Sequence, residues 1–428
     1  MHREMKDSGI PWLGKIPSSW EIAKIKYSVQ WKSEKGYSEE RVLSLYRDYG
    51  VIYKDSRDDN HNVTSLDTSG YKFVEPGDLV INKMKAWQGS MAVSDITGII
   101  SPAYHVCKIT DSRVHKRYFH HLLRNASYLP EYARLSTGMR IGQWDLGFDD
   151  FKNLPFLIPP YSEQAKIAAF LDSECEEIDK LILRTQESIE EYKRLKQAVI
   201  SHAVTKGIRP NRTLKESGVE WIKSIPEEWE NINPKALFSQ RKDKAIAGER
   251  QLTASQQHGV IYQDEYMEIT GSKVVTVEKD FDILKHVEAG DFVISMRSFQ
   301  GGLEYSTKSG SISSAYVMLI PNLELVYPRF FRWLLKSDVY INALQSTSNM
   351  VRDGQAMRYS NFAQVRLFSI PLSEQEEIAD FLDSMCAKLD ELIQQKEQYV
   401  LELEQYKKSF IYEYVTGKKE VPYSKEVQ

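Results

Sequence analysis

The sequence predicts an α+β protein in which two mixed α/β globules alternate with a pair of long coiled-coil helices, as an internal pseudo-twofold repeat. Three doubled stretches predict it. A helix-entry motif, Pro160-Tyr161-Ser162-Glu163-Gln164, returns as Pro371-Leu372-Ser373-Glu374-Gln375. A Trp-bearing stretch, Ile16-Pro17-Ser18-Ser19-Trp20, returns as Ile225-Pro226-Glu227-Glu228-Trp229. A corner between apolar runs, Gly77-Asp78-Leu79-Val80-Ile81, returns as Gly290-Asp291-Phe292-Val293-Ile294. Self-similarity in a fixed order along a chain marks a repeat architecture.

Residues 1–20 form a loop punctuated by Pro and Trp, and 208–229 repeat it as a connector. Both look too irregular for a helix or a strand. Trp12, Trp20, Trp221 and Trp229 are expected to pin these loops onto a helix end. Residues 21–155 and 230–368 are the globules, with short β-rich runs bounded by Gly-Asp turns. Each also carries a short amphipathic helix, marked by Phe119, Leu122 and Leu123 and by Phe331, Leu334 and Leu335. Residues 156–207 and 369–417 are the long helices, and 418–428 are a polar tail.

The long helices open on Ser and Glu after a proline, an N-cap signal with an acidic first turn. They lack internal Gly and Pro and run into Gly207 and Gly417, which are stop signals. Apolar residues recur at near-heptad spacing, and Ile178, Leu181, Leu389 and Leu392 are the expected contacts between the pair. At roughly 42 residues, each helix would be on the order of 60 Å long. A helix of that length with so narrow a seam requires a partner helix, which is expected within the same molecule. Parallel and antiparallel packing both satisfy the connector.

Composition narrows the function. Of 428 residues, 42% are apolar, enough for real cores. No apolar run approaches a membrane span and no apolar leader follows Met1, so a cytoplasmic protein without a membrane role is expected. Cys107, Cys175 and Cys386 have no metal-ligand spacing, and the last two fall at equivalent places in the long helices. The net charge of −4 is unevenly spread: the helices carry roughly −10 and the remainder roughly +6. No phosphate loop, His-Glu-x-x-His or paired-Cys motif is present, so no catalytic residue, metal or cofactor is assigned. Ile158-Pro159-Pro160-Tyr161 imitates an amino-methyltransferase motif, but Ile158 has no side-chain acceptor for an amino group.

Basic, amide and aromatic residues recur at matching places in the globules. Lys83, Lys85, Trp87 and Gln88 align with Arg297 and Gln300, Tyr104 with Tyr316, and Arg140 and Gln143 with Arg352 and Gln355. Arg bonds a guanine edge or a phosphate, and Gln bonds an adenine edge. These twelve are the candidate DNA contacts. The competing reading makes the arginines ordinary surface residues and Trp87 and Phe299 core.

In this order and number, the motifs resemble the specificity subunit of type I restriction–modification enzymes over essentially the whole chain. The resemblance rests on the Ile-Pro-x-x-Trp stretch, the Gly-Asp corner, the Arg-x-x-Gly-Gln or Arg-x-Gly-Gln loop and the Ser-Glu-Gln helix entry. It implies that each globule is a target recognition domain reading one half of a bipartite site on double-stranded DNA. It implies an antiparallel helix pair that sets the unread spacer. Its partners would be two modification subunits, which methylate adenine with S-adenosylmethionine, and restriction subunits using ATP and Mg. The chain itself would be non-catalytic. A coiled-coil scaffold for protein partners, without DNA specificity, is the alternative.

Overall fold

Two uninterrupted helices, Tyr161–Lys206 and Leu372–Val415, carry the doubled entry motif. The structure, a computed structural model, describes residues 3–47, 49–57, 67–140, 143–274, 276, 283–296, 298–347 and 358–422, without the side chains of 139, 140 and 143. Each helix begins one residue ahead of the serine expected to cap it, so Ser162 and Ser373 lie in the first turn. Each is followed by a glycine in the left-handed region, Gly207 at φ 74° and Gly417 at φ 70°. A side chain there is strained, so the glycines end the helices as the sequence indicated.

Burial along the first helix follows a four-three repeat through Leu171, Cys175, Ile178, Ile182, Thr185, Ile189, Tyr192, Lys196 and Val199. The second helix repeats it through Leu382, Cys386, Leu389, Ile393, Lys396, Val400, Leu403, Lys407 and Phe410. Ile178 and Leu389 are buried. Leu181 and Leu392 are not seam residues: they are 43% and 38% exposed, and Ile182 and Ile393 take their places. The heptad is hidden because Thr185, Lys196, Lys396 and Lys407 occupy seam positions, and a search for apolar residues slips to the leucine next door.

The chain divides into two compact units, residues 1–186 with 398–428, and residues 187–397. Each contains one globule and a segment of both long helices. In the first, Phe170 packs on Tyr414 at 5.0 Å, and Lys407 pairs with Asp179 at 2.6 Å. In the second, Lys196 pairs with Asp390 at 2.6 Å, and the Lys396 ammonium lies 5.6 Å from the Tyr192 ring. Rising numbers on one helix meet falling numbers on the other, so the segments are antiparallel in each unit.

Each globule is built on a four-stranded antiparallel sheet. In the first the order is Val29–Lys32, Tyr104–Ile109, Asp78–Asn82, Met91–Val93. In the second it is Phe238–Arg241, Val317–Pro321, Phe292–Ile294, Glu304–Tyr305. One face packs on the short helices Lys116–Leu123 and Leu129–Leu135, or Pro328–Leu334 and Asp338–Ser346, and on the long-helix ends. The other face closes a smaller core with a hairpin, Leu43–Tyr46 with Gly50–Tyr53 or Leu252–Ser255 with Gly259–Tyr262.

The Gly-Asp corner turns through Gly77 at φ 93° and Gly290 at φ 106°. Its aspartate is buried and ties the corner to the edge strand. Asp78 accepts from the Glu75 amide at 2.9 Å and from Lys32 at 2.8 Å. Asp291 accepts from the Glu288 amide at 3.0 Å and from Arg241 at 2.6 Å. Burial opposes the Lys32 charge, but hydrogen bonds to Asp78 and Glu75 outweigh it and raise its pKa.

The Trp-bearing stretches correct the expectation of an irregular loop. Each is a two-stranded antiparallel ribbon, Met5–Asp7 with Lys15–Pro17 and Leu214–Val219 with Ile222–Pro226. Ser8 Oγ accepts from the Ile10 amide and Ser217 Oγ from the Val219 amide, both at 3.1 Å, and in the first ribbon the Leu13 and Gly14 amides also close the turn on the Ile10 carbonyl. Such local bonds stand in for missing ladder bonds, which strand propensity does not register. The cysteines are buried, and burial pushes the Cys107 thiol up to about 12, as packing residues require.

Candidate nucleic-acid interface

Two features place each sheet: a latch at the helix entry and a lysine beneath a turn. The latch explains Ser-Glu-Gln. In the first unit, Trp20 Nε1 donates to Glu163 at 3.1 Å, and Arg3 pairs with the same carboxylate at 2.6 Å. In the second, Trp229 Nε1 donates to Glu374 at 3.2 Å and Arg212 grips it through Nη1 and Nη2. The glutamine then uses its whole amide. Gln164 accepts from the His115 amide at 2.8 Å and donates to the Arg113 and Pro159 carbonyls at 2.8 and 2.7 Å. Gln375 accepts from the Tyr327 amide and donates to the Leu325 and Ile370 carbonyls, all at 2.8 Å. Trp20 and Trp229 are fully buried, in the pinning role expected of them.

At the far end of the first sheet, three sequence-predicted groups converge. Tyr104 pairs with Asn82 in the ladder, which places it beside Lys83. The hairpin Ser136–Arg140 with Gln143–Leu146 is tied in by the Leu146 amide, which donates to the Lys83 carbonyl at 2.9 Å. Where a loop was expected, Ser136–Arg140 and Gln143–Leu146 pair as antiparallel strands, and a two-stranded ribbon is an element that fits a major groove. Lys83 also pairs with Asp145 at 3.3 Å.

The individual residues differ in their suitability for contact. Lys85 and Gln88 are exposed. Trp87 is half-buried against Trp144 at 5.1 Å, and its indole N–H is buried without a partner among the described residues. Tyr104 is half-buried at the rim of the small core, and burial raises its hydroxyl pKa. In the second unit, Gln300 is exposed and Tyr316 is half-buried. The side chains of Arg140 and Gln143, and the residues Arg297, Arg352 and Gln355, lie outside the described residues.

Sequence reading missed the lysine beneath. Lys72 donates to the Tyr104 carbonyl at 2.5 Å, and Lys285 does the same for Tyr316 at 2.7 Å. Each stands two residues before the Val-Glu that opens the Gly-Asp corner, so extending the alignment of the two copies five residues upstream of Gly77 and Gly290 reveals it. Burial first, then Lys83 and Lys35, push the Lys72 pKa down. Trp31, 40% exposed, lies beside it: the Lys72 ammonium is 5.0 Å from the indole. His105 borders the indole at 4.9 Å and Phe148 at 4.7 Å. Burial lowers the His105 pKa, and its Nε2 lies 3.3 Å from the Leu146 carbonyl, so the neutral ring donates there. This is a basic, aromatic rim suited to a polyanion. Among the described residues no His, Cys, Asp or Glu cluster suits a metal, and no helix is long and apolar enough to cross a membrane.

By sequence, no protein-family model and no curated protein matches this chain. By structure the likeness spans nearly all of it. A solved structure concerned with complex assembly and conformational transition of a type I restriction–modification system superposes with a TM-score of 0.69 at 13% identity, over 94% of this chain and 99% of the other. The crystal structure of an HsdS subunit from Thermoanaerobacter tengcongensis gives 0.54 at 13% identity, over 94% and 98%. The chain therefore has the specificity-subunit fold: two strand-rich globules and two long packed helices.

Proposed function

We propose that this chain is the DNA sequence-recognition subunit of a type I restriction–modification complex. Each globule reads one half of a bipartite site through the end of its four-stranded sheet. The helices set the unread spacer and carry modification subunits that methylate adenine, with restriction subunits completing the assembly. The chain contributes recognition and no catalysis. The observation that carries the reading is the whole-chain likeness in fold to such subunits, joined to a repeat whose frame is constant and whose sheet ends differ.

Methylation mapping of a strain carrying the gene tests it. Adenine methylation at a split motif, lost on deletion of this gene, is the expected result; an unchanged pattern rejects the assignment. Binding should also weaken steeply with salt, because phosphate contacts release counterions. A flat salt response would instead favour a protein-binding scaffold. Lengthening both helices by one heptad, ~10 Å, keeps the seam in register. The unread spacer should then grow by about three base pairs at ~3.4 Å each while both half-sites stay the same.

A further inference from the structure

We propose that Trp31 and Gln240 occupy one equivalent reading position, and that their different chemistry makes the two half-sites differ there. This rests on the recognition function proposed above and assigns part of it to two side chains.

The equivalence comes from the ladders. Trp31 pairs with Cys107, which pairs with Leu79, the residue after the corner aspartate. Gln240 pairs with Leu319, which pairs with Phe292, again the residue after the corner aspartate. The next residue on each edge strand, Lys32 or Arg241, binds that aspartate. Both residues therefore stand at the same point of the same strand, and the salt bridge beside each prevents the strand from slipping.

The side chains offer opposite chemistry. Trp31 presents an exposed indole held in place by His105, Phe148 and the Lys72 ammonium, so little rotamer freedom is lost when it makes a contact. Such a ring offers an apolar surface, suited to a thymine methyl group. Gln240 is half-buried and makes no side-chain hydrogen bond among the described residues, which leaves both ends of its amide available to an adenine edge. The surroundings differ in the same sense. His105 packs on Trp31, with Lys83 close to His105, and by ladder position the corresponding residues of the second unit are Val317 and Met296. Beyond burial, Lys83 and Lys35 each disfavour the Lys72 charge, which a phosphate bound nearby would offset. The lysines thus hold the backbone, and the indole discriminates.

The test is methylation mapping with the full chain in its native complex, comparing Trp31→Gln, Trp31→Phe and Gln240→Trp. A good base contact corresponds to roughly ten-fold discrimination or more. Trp31→Gln should relax or change one base pair of one half-site and leave the other half unchanged. Gln240→Trp should do the reverse, and Trp31→Phe should keep the original base. Unchanged preference in both exchange variants overturns the proposal. Loss of all methylation by Trp31→Gln, with a lowered melting temperature of the purified chain and no rescue by Phe, also overturns it, since Trp31 is then structural. If the unmodified chain directs no split motif, the recognition function itself fails, and that outcome is separate from these.

Discussion

The helix-entry latch and the sheet end sit on the same globule and have diverged very differently. The latch is nearly atom-for-atom the same in both units: Trp and Arg on one carboxylate, and a buried amide with all three hydrogen bonds used. The sheet ends keep the Tyr turn, the lysine beneath it and the matching Gln88 and Gln300, but exchange Trp for Gln, His for Val and, by ladder position, Lys for Met. A buried polar group admits few solutions, because any change strands its partners. An exposed end carries no such constraint and is free to specialise. The divergence therefore separates a constant frame from the surface proposed to read DNA.

Emptying the latch should have the largest effect. Trp20→Ala and Trp229→Ala each remove a fully buried ring, and each is expected to cost about 3–5 kcal/mol. Thermal unfolding of the full chain checks this, and a small loss at only one of them would show that the latches are not equivalent. Gln164→Glu and Gln375→Glu keep the shape but lose both amide donors, for about 1–3 kcal/mol each.

A pH titration sharpens the comparison, because the units use different groups where the short helix meets the long one. His121 Nε2 meets Asp172 at 2.7 Å in the first unit, and Trp333 Nε1 donates to Asp383 at 2.8 Å in the second. Burial lowers the His121 pKa against the pull of Asp172, and lowers that of His120 further. In the unfolded chain both titrate near ~6.5. Folded values below that mean the unfolded state binds more protons as pH falls. Their stabilisation is therefore complete above about pH 6.5 and lost below it. His286 in the second unit has the opposite sign. Burial opposes its charge, yet hydrogen bonds to Glu288 and Glu249 outweigh it and raise its pKa. Its contribution is present below about pH 6.5 and is lost as pH rises through the folded value. Lowering the pH from about 7.5 to about 5.5 should thus weaken the first unit relative to the second. Amide hydrogen exchange, corrected for intrinsic rates, reads the two separately; equal responses would contradict the assignment.

The smallest effect is expected at the seam. Lys196→Ala and Lys407→Ala each break a partly exposed pair, with Asp390 or Asp179, and should cost about 0.2–1 kcal/mol. Replacing either lysine by Leu should not destabilise, since the seam position is half-buried and its neighbours are apolar. A loss above about 2 kcal/mol from either change would mean that the lysines fix the register instead of filling it.

The sequence by itself determined the doubled plan, the helices and their glycine stops, the Gly-Asp corners and the apolar short helices. Each is written in local chemistry: a φ that needs glycine, a periodicity, a turn. Only the tertiary structure decided three things. It placed the seam at Ile182 and Ile393 in place of Leu181 and Leu392, because lysines paired across the helices complete the heptad. It turned the Trp-bearing loops into ribbons, with a serine side chain bonded inside each turn. It brought Trp31, Lys72 and Lys83 to one rim, through a ladder joining residues far apart in the chain. Pairing register and side-chain partners across long separations leave no periodic trace in the chain, and here they decide which residues meet.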